Sequence, residues 1–361
     1  MTETVPPPRV ITLGTAGGPR WWTSGQPIRR TGIATAIQVG EAFYLVDCGH
    51  GVGRRINEAG LSLKNLRGIF LTHLHSDHTV DLASLAVFGL YEMLDRTNRP
   101  VTLMGPGDRG MLPPVSARAV TPPRPVAPHC PTPGTAQMFE TLMAAHATDL
   151  NDRVLDSLRP SPLDLFEARD IEIPEGCGYH PNDDPTPRIA PFEIYRDELV
   201  TVTATLVEHP PIAPAFGFRF ETAAGSVTIS GDTAPTPNLV ELARGTDLLL
   251  HEAIDFDFVE SMYADRTDEG SRASRDHHYK SHTSVRDAAR IASQAGARQL
   301  ALHHLVPGSA SDDVWHAAAA EFSGRFHLPD DLDVIPLRDD ASSTENEEHR
   351  LARDVLARPR A

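Results

Sequence analysis

Ile69-Phe70-Leu71-Thr72-His73-Leu74-His75-Ser76-Asp77-His78 is the stretch that decides how this chain is read. Its apolar start predicts a strand over Ile69–Thr72. The residues that follow put three imidazoles and one carboxylate into six positions. These are the neutral-nitrogen and hard-oxygen donors that zinc, manganese or iron accept. A tight turn at a strand end can aim alternate side chains at two neighbouring ions. A polar loop that happens to be rich in histidine is the bland alternative, but chance matches to His-x-His-x-Asp-His just beyond a strand are rare.

One loop cannot complete two coordination shells. Further donors stand in the same setting, each directly after an apolar strand: His209 after Val200–Val207, Asp232 after Val227–Ser230, His251 after Leu248–Leu250 and His304 after Leu300–Leu302. Taken singly, each is more simply a structural polar residue. Neighbouring strand ends lie within a few ångströms, so together they can converge on one sheet edge.

Around these donors the pattern is strand-rich. Val10–Leu13 is a first strand, and Ile33–Val39 with Ala42–Val46 reads as a hairpin about Gly40–Glu41. Thr79–Leu94 is apolar on more than one face and predicts one buried helix. Strands are expected again over Leu199–Val207, Ala215–Phe220, Ser226–Ser230, Asp247–Leu250 and Gln299–His303. A helix over Ser284–Gln294 has Ser284 as its cap and Gly296 as its stop. Prolines crowd 113–133 and recur over 174–191, with helix-like Ala136–Leu158 between them. The region of about 105–198 is therefore expected to be an insertion of loops around one helical piece, either a lid over a site or a surface elaboration.

Composition bounds the function. The 361 residues are 40% apolar, enough for a sizeable core, and carry a formal charge of −16. Proteins that grip phosphate backbones favour clustered Lys and Arg. Here, residues 112–198 hold 7 Arg and no Lys against 14 acidic residues, a net of −7. No apolar run spans a membrane, no secretory signal is visible at the start, and three scattered cysteines make no disulfide framework. A soluble cytoplasmic protein is expected, with residues 1–338 as a single domain and a charged, flexible tail over 339–361.

The pattern resembles the metallo-β-lactamase superfamily of binuclear hydrolases, in its ribonuclease Z and arylsulfatase-like branch. The resemblance covers most of Val10–Gly308. It rests on His73-x-His75-x-Asp77-His78, the single His209, Asp232 in Ser-Gly-Asp-Thr, His304 in Leu-His-His-Leu-Val-Pro, the pair His251-Glu252 and Ser281-His282-Thr283. It implies a four-layer αββα sandwich with the site at one edge of the sheets. It also implies two divalent ions, zinc first, with manganese or iron as alternatives. His73, His75 and His209 would hold one ion; Asp77, His78 and His304 the other; Asp232 would bridge both. Asp47 would fix a ligand or the loop from behind, and the register favours His304 over His303.

The implied reaction is ester hydrolysis by a hydroxide bridging the metals. Asp77 would also exchange protons, and His282, oriented by Glu252, would protonate the leaving group. His251 stays open between ligand and proton-handling unit. The wording of the motifs leans toward the arylsulfatase-like side, and ribonuclease Z carries a tRNA-gripping arm that the acidic insertion does not resemble. A small anionic ester, aryl sulfate or phosphodiester, is the expected substrate, with nucleic acid disfavoured and a homodimer admitted. The alternatives are a ribonuclease Z-type tRNA 3′-processing endonuclease, a lactonase, thioesterase or iron oxygenase of the same superfamily, and a non-catalytic scaffold. Trp21 and Trp22 either stack on an aryl group or pack their loop. Arg29 and Arg30 either hold an anion or are ordinary charges. Cys48 reads as a small buried residue.

Overall fold

The computed structural model describes residues 8–22, 29–94 and 99–337; the expected tail over 339–361 lies outside them. The first half runs β1 (Arg9–Gly14), β2 (Ala34–Val39), β3 (Ala42–Val46), α1 (Val52–Glu58), β4 (Leu66–Phe70), α2 (Ser76–Thr79), α3 (Leu82–Gly89), β5 (Val101–Pro106), α4 (Thr135–Ala145), α5 (Ala147–Leu155), α6 (Pro162–Leu165) and β6 (Phe166–Ile171). The second half runs β7 (Phe192–Arg196), β8 (Val200–Leu206), β9 (Phe216–Thr222), β10 (Gly225–Ile229), α7 (Pro237–Leu242), β11 (Leu248–Ile254), α8 (Phe256–Tyr263), α9 (Glu269–Ser281), α10 (Val285–Ala295), β12 (Gln299–Val306), α11 (Asp312–His316), β13 (Arg325–His327) and β14 (Asp333–Pro336). Two mixed sheets result, ordered β14-β1-β2-β3-β4-β5-β6 and β13-β12-β11-β10-β9-β8-β7.

Period-two alternation explains the layering. In β3 every residue is buried, because both faces of its sheet are covered. Phe43 and Leu45 join a core with Val52, Leu85 and Phe139 from α1, α3 and α4. Tyr44 and Val46 face the other way, into the layer between the sheets. There they meet Phe216, Phe218 and Phe220, three alternate residues of β9. The outer face of the second sheet is covered by α7 and α10 through Leu239, Leu242, Ala288 and Ala292. The architecture is thus the expected αββα sandwich. Helix α10 starts and stops as its sequence dictates: Ser284 Oγ accepts from the Asp287 N–H at 3.1 Å, and Gly296 closes it at φ 64°.

Several expectations shift. The helix expected over Thr79–Leu94 is two pieces, α2 and α3, because Asp81 between them is tied to the loop after β3. Its carboxylate accepts from Gly51 N at 2.6 Å and its N–H donates to Cys48 O. The helical stretch Ala136–Leu158 breaks at His146 into α4 and α5. The region 105–198 is more than loops, since it supplies β6 and β7, one edge strand to each sheet, where proline-rich flanks are tolerated. Strands β11 and β12 extend further than expected. His251, Glu252 and His304 therefore lie within these strands rather than beyond them, beside His303, which was already expected in β12.

That extension carries an irregularity. Glu252 pairs with His303 and Ala253 with Leu305, so His304 is the extra residue of a bulge. Its φ is 46°, and Asp47 at φ 62° is likewise in the left-handed region. Bulges and such backbone angles re-aim side chains, and they persist where the surroundings hold them.

Candidate metal centre

The donors converge at one edge of the sheets, where residues just past β4, β8 and β10 meet the bulge residue His304 of β12. His73 Nε2 lies 3.0 Å from His75 Nδ1, and His209 Nε2 lies 3.2 Å from the same nitrogen. Asp232 Oδ2 is 3.9 Å from His73 Nε2 and 3.8 Å from His209 Nε2. On its other side Asp232 Oδ2 is 3.1 Å from His304 Nε2, and its Oδ1 is 3.4 Å from His78 Nε2. Asp77 Oδ2 completes this second group, 3.3 Å from His304 Nε2 and 3.6 Å from His78 Nε2.

Two donor sets, His73-His75-His209 and Asp77-His78-Asp232-His304, each bring their ligand atoms within 4.8 Å of one another. Ligands about 2.0–2.1 Å from a tetrahedral ion stand roughly 3.3 Å apart, which is the spacing seen. His78 Nε2 and Asp232 Oδ1 are buried without a hydrogen-bond partner, as donors awaiting a cation would be. The donor sets fit a pair of divalent ions.

Electrostatics separate the donors: at His78 burial is outweighed by the Asp232, Asp47 and Asp77 charges, which raise the imidazole, so a cation there would displace a proton. Burial pulls His73, His75 and His209 below the ordinary imidazole range, leaving them neutral. Burial alone would push the Asp232 carboxyl up, but His304 and His78 reverse this and hold it well below its usual value. Behind the donors a polar layer fixes their rings. Asp47 Oδ2 lies 2.8 Å from His78 Nδ1, and Asp47 also accepts from the N–H and hydroxyl of Thr72. His209 Nδ1 lies 2.7 Å from Ser281 O, and Gly18 N donates to Asp77 Oδ2 at 2.9 Å. Such partners set which nitrogen faces the metal. Room is left as well: a Cβ on Gly17 would sit 2.3 Å from His304 Nδ1.

A cleft of about 260 Å³ opens over the centre, lined among others by His75, Asp77, Asp232, His282 and His304. His282 is placed there by Glu252, whose Oε1 lies 3.0 Å from His282 Nδ1. Glu252 is fully buried and accepts also from Thr233 N and Thr283 N, so it touches His282 and not the cleft. His251 is corrected: paired with Leu302 inside the ladder, it joins neither donor set and does not line the cleft. His303, also buried, stands outside both sets.

The sequence reading missed His277 and His278. Both lie on α9 and line the cleft, and His277 groups with His209 and His282. Arg20, Trp22 and Tyr263 complete its outer wall. Trp22 both packs and lines, with its Nε1–H donating to Gly17 O at 2.7 Å, while Trp21 is exposed against His50. Arg29 pairs with Asp312 and Asp330, and Arg30 is buried on Thr15 and Pro329, so both hold structure rather than an anion. Cys48 is buried and its thiol is pushed up by burial.

Comparison with known proteins follows this geometry. The profile of a family described as Anti-Pycsar protein Apyc1 matches residues 34–104. The metallo-β-lactamase fold protein YhfI from Bacillus subtilis superposes with a TM-score of 0.55 at 17% identity, over 91% of this chain and 99% of that one. Human tRNase Z, short form, gives 0.58 at 20% identity over 92% and 100%. These define the class by its fold, the metallo-β-lactamase fold. Ribonuclease Z of Mycobacterium bovis is 30% identical over 318 residues, 86% of this chain and 94% of its own. The chain belongs to the ribonuclease Z family. The expected leaning toward arylsulfatase-like members finds no support in these relatives. Among the described residues no helix is long and apolar enough to cross a membrane.

Proposed function

We propose that the chain hydrolyses phosphodiester bonds in RNA, with His73, His75 and His209 holding one divalent ion, Asp77, His78 and His304 a second, and Asp232 bridging them. The observation that carries this is Asp232, whose Oδ2 stands between the two donor sets, 3.8–3.9 Å from His209 and His73 on one side and 3.1 Å from His304 on the other, with Oδ1 3.4 Å from His78. The kinship to ribonuclease Z over 86% of the chain supports RNA as substrate. It reverses the expectation that nucleic acid is disfavoured.

Two such ions would supply an activated water and a charge sink for the ester oxygens. The residues do the rest. Asp47 and Ser281 O orient the rings of His78 and His209. His282 presents Nε2 to the cleft because Glu252 occupies Nδ1. Burial lowers the His282 pKa, but the Glu252 charge and hydrogen bond outweigh it and raise the value, which suits His282 to hand a proton to the leaving oxygen. Asp77 Oδ2 accepts from Gly18 N at the cleft floor; burial would push this carboxyl up, but His78 and His304 hold it below its usual value, as suits a ligand.

A second reading is a small phosphodiester rather than a folded RNA. The −7 charge of residues 112–198 favours it, since an acidic surface repels a long backbone. Incubation with a 3′-extended precursor tRNA, a short ribo-oligonucleotide, bis(p-nitrophenyl) phosphate and p-nitrophenyl sulfate separates these cases. Cleavage of the precursor at its 3′ side supports the first reading, and turnover of only the small phosphodiester supports the second. Turnover of the sulfate alone would sink both.

A further inference from the structure

His277 of α9 lines the cleft and has no part in the chemistry above. Its ring centre lies 6.2 Å from that of His75, 5.8 Å from His209 and 5.9 Å from His282. Ser281, one helical turn on, fixes its tautomer. The Ser281 hydroxyl donates to Pro210 O, so toward His277 Nδ1, 3.2 Å away, it can only accept. The ring proton is therefore on Nδ1, and Nε2 carries a lone pair. Burial and the adjoining cation sites disfavour a second ring proton. Among the described residues Nε2 bonds to nothing, yet it is not one of the sealed buried atoms: the ring is half-buried and opens to the cleft. A third ion does not explain it. The group His209-His277-His282 draws its ligand atoms within 4.8 Å, but His209 already serves the first ion.

We propose that His277 recognises the ribose 2′-hydroxyl beside the scissile phosphate, with Nε2 accepting the hydrogen bond. The inference rests on the RNA phosphodiesterase reading above. Ionised phosphate oxygens only accept, so a bare imidazole nitrogen cannot bind them; it needs an O–H or an N–H. His282 faces the leaving oxygen, and where that oxygen is the ribose O3′ the 2′-hydroxyl stands on the next ring carbon. His277 and His282 have ring nitrogens within 4.8 Å of each other, so the pair can hold two neighbouring oxygens, one each. Donors on the base lie further from the phosphate. The 2′-hydroxyl is also the group by which a protein tells RNA from DNA.

Calorimetric titration of the metal-loaded full chain with uridine 3′-phosphate, its 2′-deoxy form and its 2′-O-methyl form tests this without turnover. The ribose form is expected to bind roughly tenfold tighter than either, the upper end of what one hydrogen bond contributes. The methyl ether still accepts but has no proton to give, so it separates acceptance by His277 from donation by another group. His277→Phe, which keeps a flat ring, should bring the three affinities together. His277→Gln, whose amide oxygen accepts, should restore part of the preference. Equal affinities for the ribose and deoxy forms in the wild type would overturn the inference, as would a methyl ether that binds like the ribose form. So would a preference kept by a His277→Phe chain that melts like the wild type. One metal ion fewer in that variant by native mass spectrometry would make His277 a ligand and overturn it too. Cleavage of uridylyl-(3′→5′)-uridine tests the phosphodiesterase reading separately. Its absence alongside an intact ribose preference would remove that reading and leave the hydroxyl contact.

Discussion

Glu252 Oε1 stands 3.0 Å from His282 Nδ1, fully buried, where the Thr233 and Thr283 N–H groups donate to the same oxygen. The carboxylate never reaches the cleft, so its effect on the reaction passes through the imidazole. His282→Ala should lower kcat/KM by about 10²–10⁴. Glu252→Gln should lower it by roughly 10–100-fold. Both losses should shrink for a p-nitrophenolate leaving group, which needs no proton, while metal content stays unchanged. Equal losses on all leaving groups would mean His282 is only structural.

Gly17 makes room for a ligand. A Cβ there would fall 2.3 Å from His304 Nδ1, so Gly17→Ala should displace that ring without touching the substrate directly. Activity should fall roughly 10–100-fold, with metal occupancy reduced, as for other residues that support a ligand from behind. Elemental analysis and initial rates check this together. Full occupancy with native rates would show that His304 is not held where the proposed metal needs it.

Asp47 fixes the ligand loop by bonds to Thr72 and His78, on a backbone angle that Asn also tolerates. Asp47→Asn should therefore fold normally but lose metal to a competing chelator at about 10–100-fold lower concentration.

Away from the site, Asp197 ties the two sheets. Its carboxylate accepts from Tyr44 and Tyr195 hydroxyls at 2.6 and 2.9 Å and from Leu199 and Val200 N–H groups. Burial pushes this carboxyl up, but the four donors outweigh it and hold it below its ordinary value. A depressed carboxyl contributes stability above its unfolded pKa of about 3.9, lost as pH falls through the folded value. Asp197→Asn should cost about 1–2 kcal/mol at pH 7, a modest figure because the group is half-exposed. The gap from wild type should narrow progressively as pH falls below the unfolded value of about 3.9. A gap unchanged with pH would mean that packing, not ionisation, is lost.

Much of this site was legible in the chain because its donors sit next to one another or just past apolar strands. His73, His75, Asp77 and His78 needed only the turn after β4. His209 and Asp232 needed only strand ends. The strand ends themselves misled at β11 and β12. Polar His251, Glu252 and His304 read as leaving the sheet, whereas β11 and β12 continue through them and the bulge at His304 aims a ligand. Helix α9 gave no apolar period, since Ser281 is its only buried residue, so His277 and His278 went unnoticed.

The account turns on Asp232 bridging two ions, and metal content per chain, measured by native mass spectrometry on wild type and Asp232→Ala, tests it most directly. The donor sets predict two divalent ions per wild-type chain, and one or none in the variant. Two ions retained by Asp232→Ala, or a wild type that binds only one, would contradict it.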